Sequence, residues 1–98
     1  MDFEIICDGS KATVSVSGHL NATTAPTLDE ALSSKLAESM DITFDLCELE
    51  YISSAGLRIL LKTYKRVTKD GSMRIVNVQP SVMDVLDASG FASIFTIE

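Results

Sequence analysis

The stretch Tyr51-Ile52-Ser53-Ser54-Ala55-Gly56-Leu57 stands between an extended run, Ile42-Thr43-Phe44-Asp45-Leu46, and a strongly periodic helical segment. Two hydroxyls, a small residue and a glycine therefore fall where a strand hands over to a helix. The first N–H groups of a helix have no partner inside it, and that end carries partial positive charge. A serine there can cap the helix, or it can carry an anionic group that the helix end stabilises. The residue types alone allow both.

After Gly56, residues Leu57, Leu60, Leu61, Tyr64 and Val67 follow the i, i+3, i+4, i+7 spacing of an amphipathic helix. Arg58, Lys62, Lys65, Arg66 and Lys69 take the other positions, and Asp70-Gly71 is a stop. Upstream, Phe3–Cys7 reads as a strand and Asp8-Gly9-Ser10 as a turn. Ala12–Ser17 alternates with period two, so the pair predicts a hairpin that Gly18 ends. His19–Pro26 reads as a loop that becomes a helix start, with Thr23 or Thr24 as N-cap and Pro26 in the first turn. Leu28, Leu32 and Leu36 make the stripe of a first helix that Ser39-Met40-Asp41 closes, and Asp29 and Glu30 lie early in it, as the dipole prefers.

Met73–Val78 is a further strand. Pro80 opens a last helix with apolar positions Val82, Val85 and Leu86, joined by Ser89, Gly90 ends it, and Ile94–Ile97 is a short final strand or tail. The order β-β-α-β-α-β-α-β makes an α/β fold with a mixed sheet, because β-α-β units need parallel neighbours. With 98 residues the chain predicts one domain, 1–98.

Charge and composition exclude several functions. A net charge of −6 and a pI near 4.6 argue against nucleic acid or an anionic membrane and favour a basic partner surface. No apolar run approaches the roughly 18 residues of a membrane span. Cys7 and Cys47 lack CxxC spacing and lie in predicted strands, which reads as buried free thiols. An acidic N-terminus in place of a positive leader region points to a reducing cytoplasm.

His19, the single histidine, makes no metal signature with scattered carboxylates. A serine hydrolase would have only His19 as base and lacks the G-x-S-x-G elbow. No phosphate-cradling glycine loop is present. Gly56 alone sits where it costs helix propensity, which asks for close backbone approach or for room around Ser54.

Asp45-Leu46 followed by Tyr51–Leu57 resembles the signature of STAS domains of the bacterial anti-sigma-factor antagonist type. Gly18-His19-Leu20-Asn21 through Thr24-Ala25-Pro26 is similar to that family's second motif, and Leu86-Asp87-Ala88-Ser89-Gly90-Phe91 to its third. Three motifs in this order cover essentially the whole chain. The resemblance implies a single STAS-like domain, a mixed sheet of four to five strands packed with about four helices.

The resemblance further implies a non-enzymatic switch without metal or cofactor. Aligned on Gly56, the family's phosphorylated serine is Ser54, Ala55 takes the second hydroxyl position, and Ser53 replaces the usual aspartate. His19 and Asn21 replace an acidic pair. The implied partner surface is Asn21, Thr24, Ser53, Ser54, Ala55, Gly56, Leu57 and Arg58. The implied partners of a cytoplasmic monomer are an ATP-binding anti-sigma factor that is also a serine kinase, and a metal-dependent serine phosphatase. The alternative is a STAS module that is never phosphorylated and serves as a ligand-binding or scaffold unit in a larger assembly.

Overall fold

The structure is a computed structural model, and it describes residues 1–36, 40–67 and 69–98. Strand β1 (Asp2–Asp8) and β2 (Lys11–Leu20) form an antiparallel hairpin in register Asp8↔Lys11. Helix α1 (Ala25–Lys35), β3 (Asp41–Ile52), α2 (Ser54–Val67), β4 (Ser72–Val76), α3 (Pro80–Ser89), a 3-10 turn (Phe91–Ser93) and β5 (Thr96–Ile97) follow. The sheet order is β1-β2-β3-β4-β5, with every neighbour after the hairpin parallel. Among the described residues three α-helices and one 3-10 turn make up the helical layer, in keeping with the expected mixed sheet packed with about four helices. The expected helix stop at Ser39 lies outside the described residues.

This order explains where the core lies. Each parallel step moves the same way across the sheet, so right-handed crossovers place all three helices on one face. Ala12, Val14, Val16, Ile42, Phe44, Met73 and Ile75 point to that face and form one cluster with Leu28, Leu32, Leu57, Leu60, Val67, Val82 and Leu86. The opposite face is polar: Thr13, Ser15 and Arg74 are exposed, and Thr43 and Asp45 half-exposed. Each strand in the core therefore alternates, as a sheet with one wet face should.

Two strands run longer than their local patterns indicate. β2 passes through Gly18, at φ +81°, and ends at Leu20 rather than stopping at Gly18. β3 extends to Ile52, twelve residues in all. The extension carries two register shifts, so Ser17 pairs with Glu48 and His19 with Tyr51. Extra residues in β3 convert its inward spacing from two to three, burying Leu46, Leu49 and Ile52.

The cysteine expectation fails for the same kind of reason. Cys7 and Cys47 are free, but both are exposed. Cys47 falls in the bulged part of β3, outside the inward series. Cys7 lies beside the turn of the hairpin, paired with Ala12 on the edge strand, its Sγ 3.6 Å from the Lys35 carbonyl. The acidic residues of α1 also fall later than the dipole would favour, since its first turn contains none.

Candidate functional site

The pairing of β2 with β3 assembles the site. Leu20 pairs with Ile52, and the Ser53 N–H donates to the Leu20 carbonyl at 2.9 Å. The two strands thus end together, and the loop leading into α1 lies beside the turn leading into α2. Both helices present their N-termini along this edge. Residues more than thirty positions apart, Asn21 and Ser53, become the next residues after paired strand ends.

The α1 side is held by a local network. Asn21 Oδ1 accepts from the Thr23 and Thr24 N–H groups at 2.9 and 3.1 Å. Thr24 Oγ1 accepts from the Asn21 N–H at 2.9 Å and donates to the His19 carbonyl at 2.9 Å. Thr24 is the N-cap residue, but its side chain closes the loop rather than capping the helix. Asn21 satisfies the two N–H groups that precede α1, as an Asx turn does, rather than those of its first turn.

On the α2 side, the first helical hydrogen bond runs from the Leu57 N–H to the Ser53 carbonyl at 3.0 Å. The backbone of Ser53 therefore begins the helix, yet its Oγ is buried and has no hydrogen-bond partner among the described residues. The side chain of Ser53 is not a cap. Ser54 is the first residue of α2 and is exposed, Ala55 is half-buried, and Arg58 is exposed one turn further on. Gly56 and Leu57 are buried, so they shape the turn from beneath.

Gly56 answers the choice left open by its position. A β-carbon there would meet Ile52 Cγ1 at 2.7 Å and Leu20 Cγ and Cδ2 at 2.9 Å. Close approach of α2 to the paired strand ends requires the glycine.

Sequence reasoning placed Asn21, Thr24, Ser53, Ser54 and Ala55 in one region, and the fold brings them to one edge. It did not single out Tyr51. That side chain is 49% exposed and meets the His19 ring edge-on, with centroids 5.8 Å apart. Only the shifted β2–β3 register sets this pair side by side, so no local pattern reports it. Among the described residues no group of side chains is arranged to hold a metal ion, and no helix is long and apolar enough to cross a membrane.

With this geometry established, the chain can be set beside known proteins. The STAS domain model matches residues 3–98. BtrV of Bordetella bronchiseptica, which is named an anti-sigma factor antagonist, is 38% identical over 74 residues, 69% of this chain and 64% of that protein. The anti-sigma-B factor antagonist of Bacillus subtilis is 28% identical over 85 residues, 86% of this chain and 78% of its own length. The crystal structure of an anti-sigma factor antagonist from Mycobacterium paratuberculosis superposes with a TM-score of 0.88 at 27% identity, covering 98% of this chain and 83% of that one. A family match across nearly every residue, on the fold that the strand order and the α2 turn define, establishes that the chain belongs to the STAS domain family.

Proposed function

We propose that this protein is an anti-sigma-factor antagonist that works by partner switching. In its unphosphorylated form it binds an anti-sigma factor, which is also an ATP-dependent serine kinase, and so releases a sigma factor. Transfer of the γ-phosphoryl group of ATP to Ser54 Oγ ends that contact, and a metal-dependent serine phosphatase restores it. The observation that carries this reading is the exposure of Ser54 as the first residue of α2, on the edge shared with Asn21 and Thr24.

The physical chemistry of that position suits a switch. A phosphate adds about −1.5 to −2 charge at pH 7 and three acceptor oxygens. The free N–H groups of the first turn of α2 favour an anion there without refolding the domain. Within a protein–protein contact the same charge brings desolvation and repulsion, and like-charge juxtaposition can cost several kcal/mol. One phosphate is enough to end binding. The chain is then a substrate and a binding partner rather than an enzyme.

The test is incubation with the cognate kinase and ATP, followed by mapping of phosphate by mass spectrometry. Phosphate on Ser54 and loss of kinase binding in Ser54→Asp are expected. Phosphate elsewhere, with Ser54→Asp still binding normally, would falsify the reading.

A further inference from the structure

Charge is distributed very unevenly along this acidic chain. Residues 54–69 contain five of its eight basic residues and no acidic one, while the rest holds three basic residues against all fourteen acidic ones. Arg58, Lys62, Lys65 and Arg66 stand at i, i+4, i+7 and i+8, so they form one stripe along α2. All four are exposed. The stripe borders the seam between α1 and α2. Near Ser54 a hollow of about 190 Å³ is lined by Ala25, Ala55, Arg58 and Lys62. Further along, one of about 640 Å³ is lined by Leu32, Leu36, Lys62, Thr63, Lys65 and Arg66.

Among the described residues one carboxylate, Asp29 on α1, borders both hollows and meets Lys62 at 3.1 Å. The Lys62 side chain nevertheless stays 65% exposed, so the pair leaves it open to a further anion. An exposed pair of this kind contributes about 0–1 kcal/mol and is readily rearranged.

We infer that the α1–α2 seam is a docking surface for an acidic, partly apolar segment of a protein partner. Leu32 and Leu36 line the floor of the larger hollow at only 5% and 2% exposure, so the apolar contact there is narrow, and the α2 stripe offers cations to carboxylates along the rim. Charge complementarity selects this occupant. At physiological salt the Debye length is about 8 Å, so the local stripe outweighs the acidic remainder at contact range. A nucleic-acid strand or an anionic bilayer extends beyond that range into the acidic surface and makes no use of the floor. At its Ser54 end the seam shares Ala55 and Arg58 with the surface proposed for the kinase, but binding along α1 and residues 58–66 is read separately from phosphate transfer to Ser54, so either reading can fail alone.

The experiment uses the full chain labelled with nitrogen-15 and a short fluorescein-labelled peptide carrying Glu and Leu at helical spacing. Amide shifts confined to α1 and residues 58–66 are expected. Lys65→Glu should weaken binding about tenfold with an unchanged Tm, because it sets like charges against each other. Lys11→Glu, on exposed β2, should leave affinity unchanged. Any of three results overturns the inference: shifts outside the seam, equal or tighter binding there of single-stranded DNA or phosphatidylserine vesicles, or the same shifts on concentrating the protein alone, which would make a second copy the occupant.

Discussion

Gly56 of α2 lies so close to Leu20 at the end of β2 that a β-carbon on it would stand 2.9 Å from both Cγ and Cδ2 of the leucine. Ile52 Cγ1 would be closer still, at 2.7 Å. Leu20 Cγ and Ile52 Cγ1 are inner atoms, and the Leu20 Cδ2 methyl belongs to an equally buried side chain, so all three have little freedom to withdraw. Gly56→Ala should therefore be destabilising although alanine favours helix. Overpacking costs about 1–3 kcal/mol, against a gain of about 1 kcal/mol in helix propensity. A net loss of roughly 1 kcal/mol is expected, seen as a lower urea midpoint at constant slope.

The neighbouring serine predicts the opposite sign. Ser53 Oγ is buried without a hydrogen-bond partner among the described residues, and such a hydroxyl carries an uncompensated desolvation cost of about 1–3 kcal/mol. Ser53→Ala should be neutral or stabilising by up to about 1 kcal/mol. A clear drop in Tm would show that the hydroxyl has a partner in solution.

For Ser54 stability and function should separate. The residue is exposed, and substitutions of this kind usually stay within about 0.5 kcal/mol. Ser54→Ala should unfold at the wild-type midpoint while accepting no phosphate from the proposed kinase. Loss of both together would mean that Ser54 supports the turn.

The loop on the α1 side rests on one acceptor. Asn21 Oδ1 holds two backbone N–H groups of the turn before α1, so Asn21→Ala should cost about 1 kcal/mol, the net worth of a typical hydrogen bond lost from a part-buried turn. Asn21→Asp keeps the acceptors and should recover most of that loss. Comparative thermal melts of the two variants decide the point.

Asp45 gives the fold an acid-sensitive contact on its wet face. Partial burial raises its pKa, but hydrogen bonds from the Cys47 N–H at 3.1 Å, from Asn77 Nδ2 at 3.3 Å and from the Cys47 thiol bring it below the usual 3.8. A depressed folded pKa contributes stability above the unfolded value, and that contribution is lost as pH falls below about 3.8. Asp45→Asn should flatten this part of the stability profile. The same carboxylate, with slight desolvation and Glu48, pushes the Cys47 thiol up. In a Cys7→Ser background, Asp45→Asn should speed alkylation of Cys47 by iodoacetamide near pH 8, because more thiolate is present.

Much of this molecule follows from local pattern. The apolar residues of α1, α2 and α3 recur at helical spacing, and Leu28, Leu32, Leu60, Val67, Val82 and Leu86 are buried as that spacing requires. The hairpin, the element order and the serine pair at the β3–α2 turn are legible for the same reason: periodicity and turn chemistry act over a few residues. What tertiary structure decided depends on which strands pair and which face is covered. Two register shifts carried β3 on to Ile52, exposed Cys47 and set His19 against Tyr51. Same-side crossovers left the polar face of the sheet open. The demand for glycine at position 56 came from Ile52 together with Leu20, 36 positions away by residue number, because the paired strand ends bring both side chains under α2.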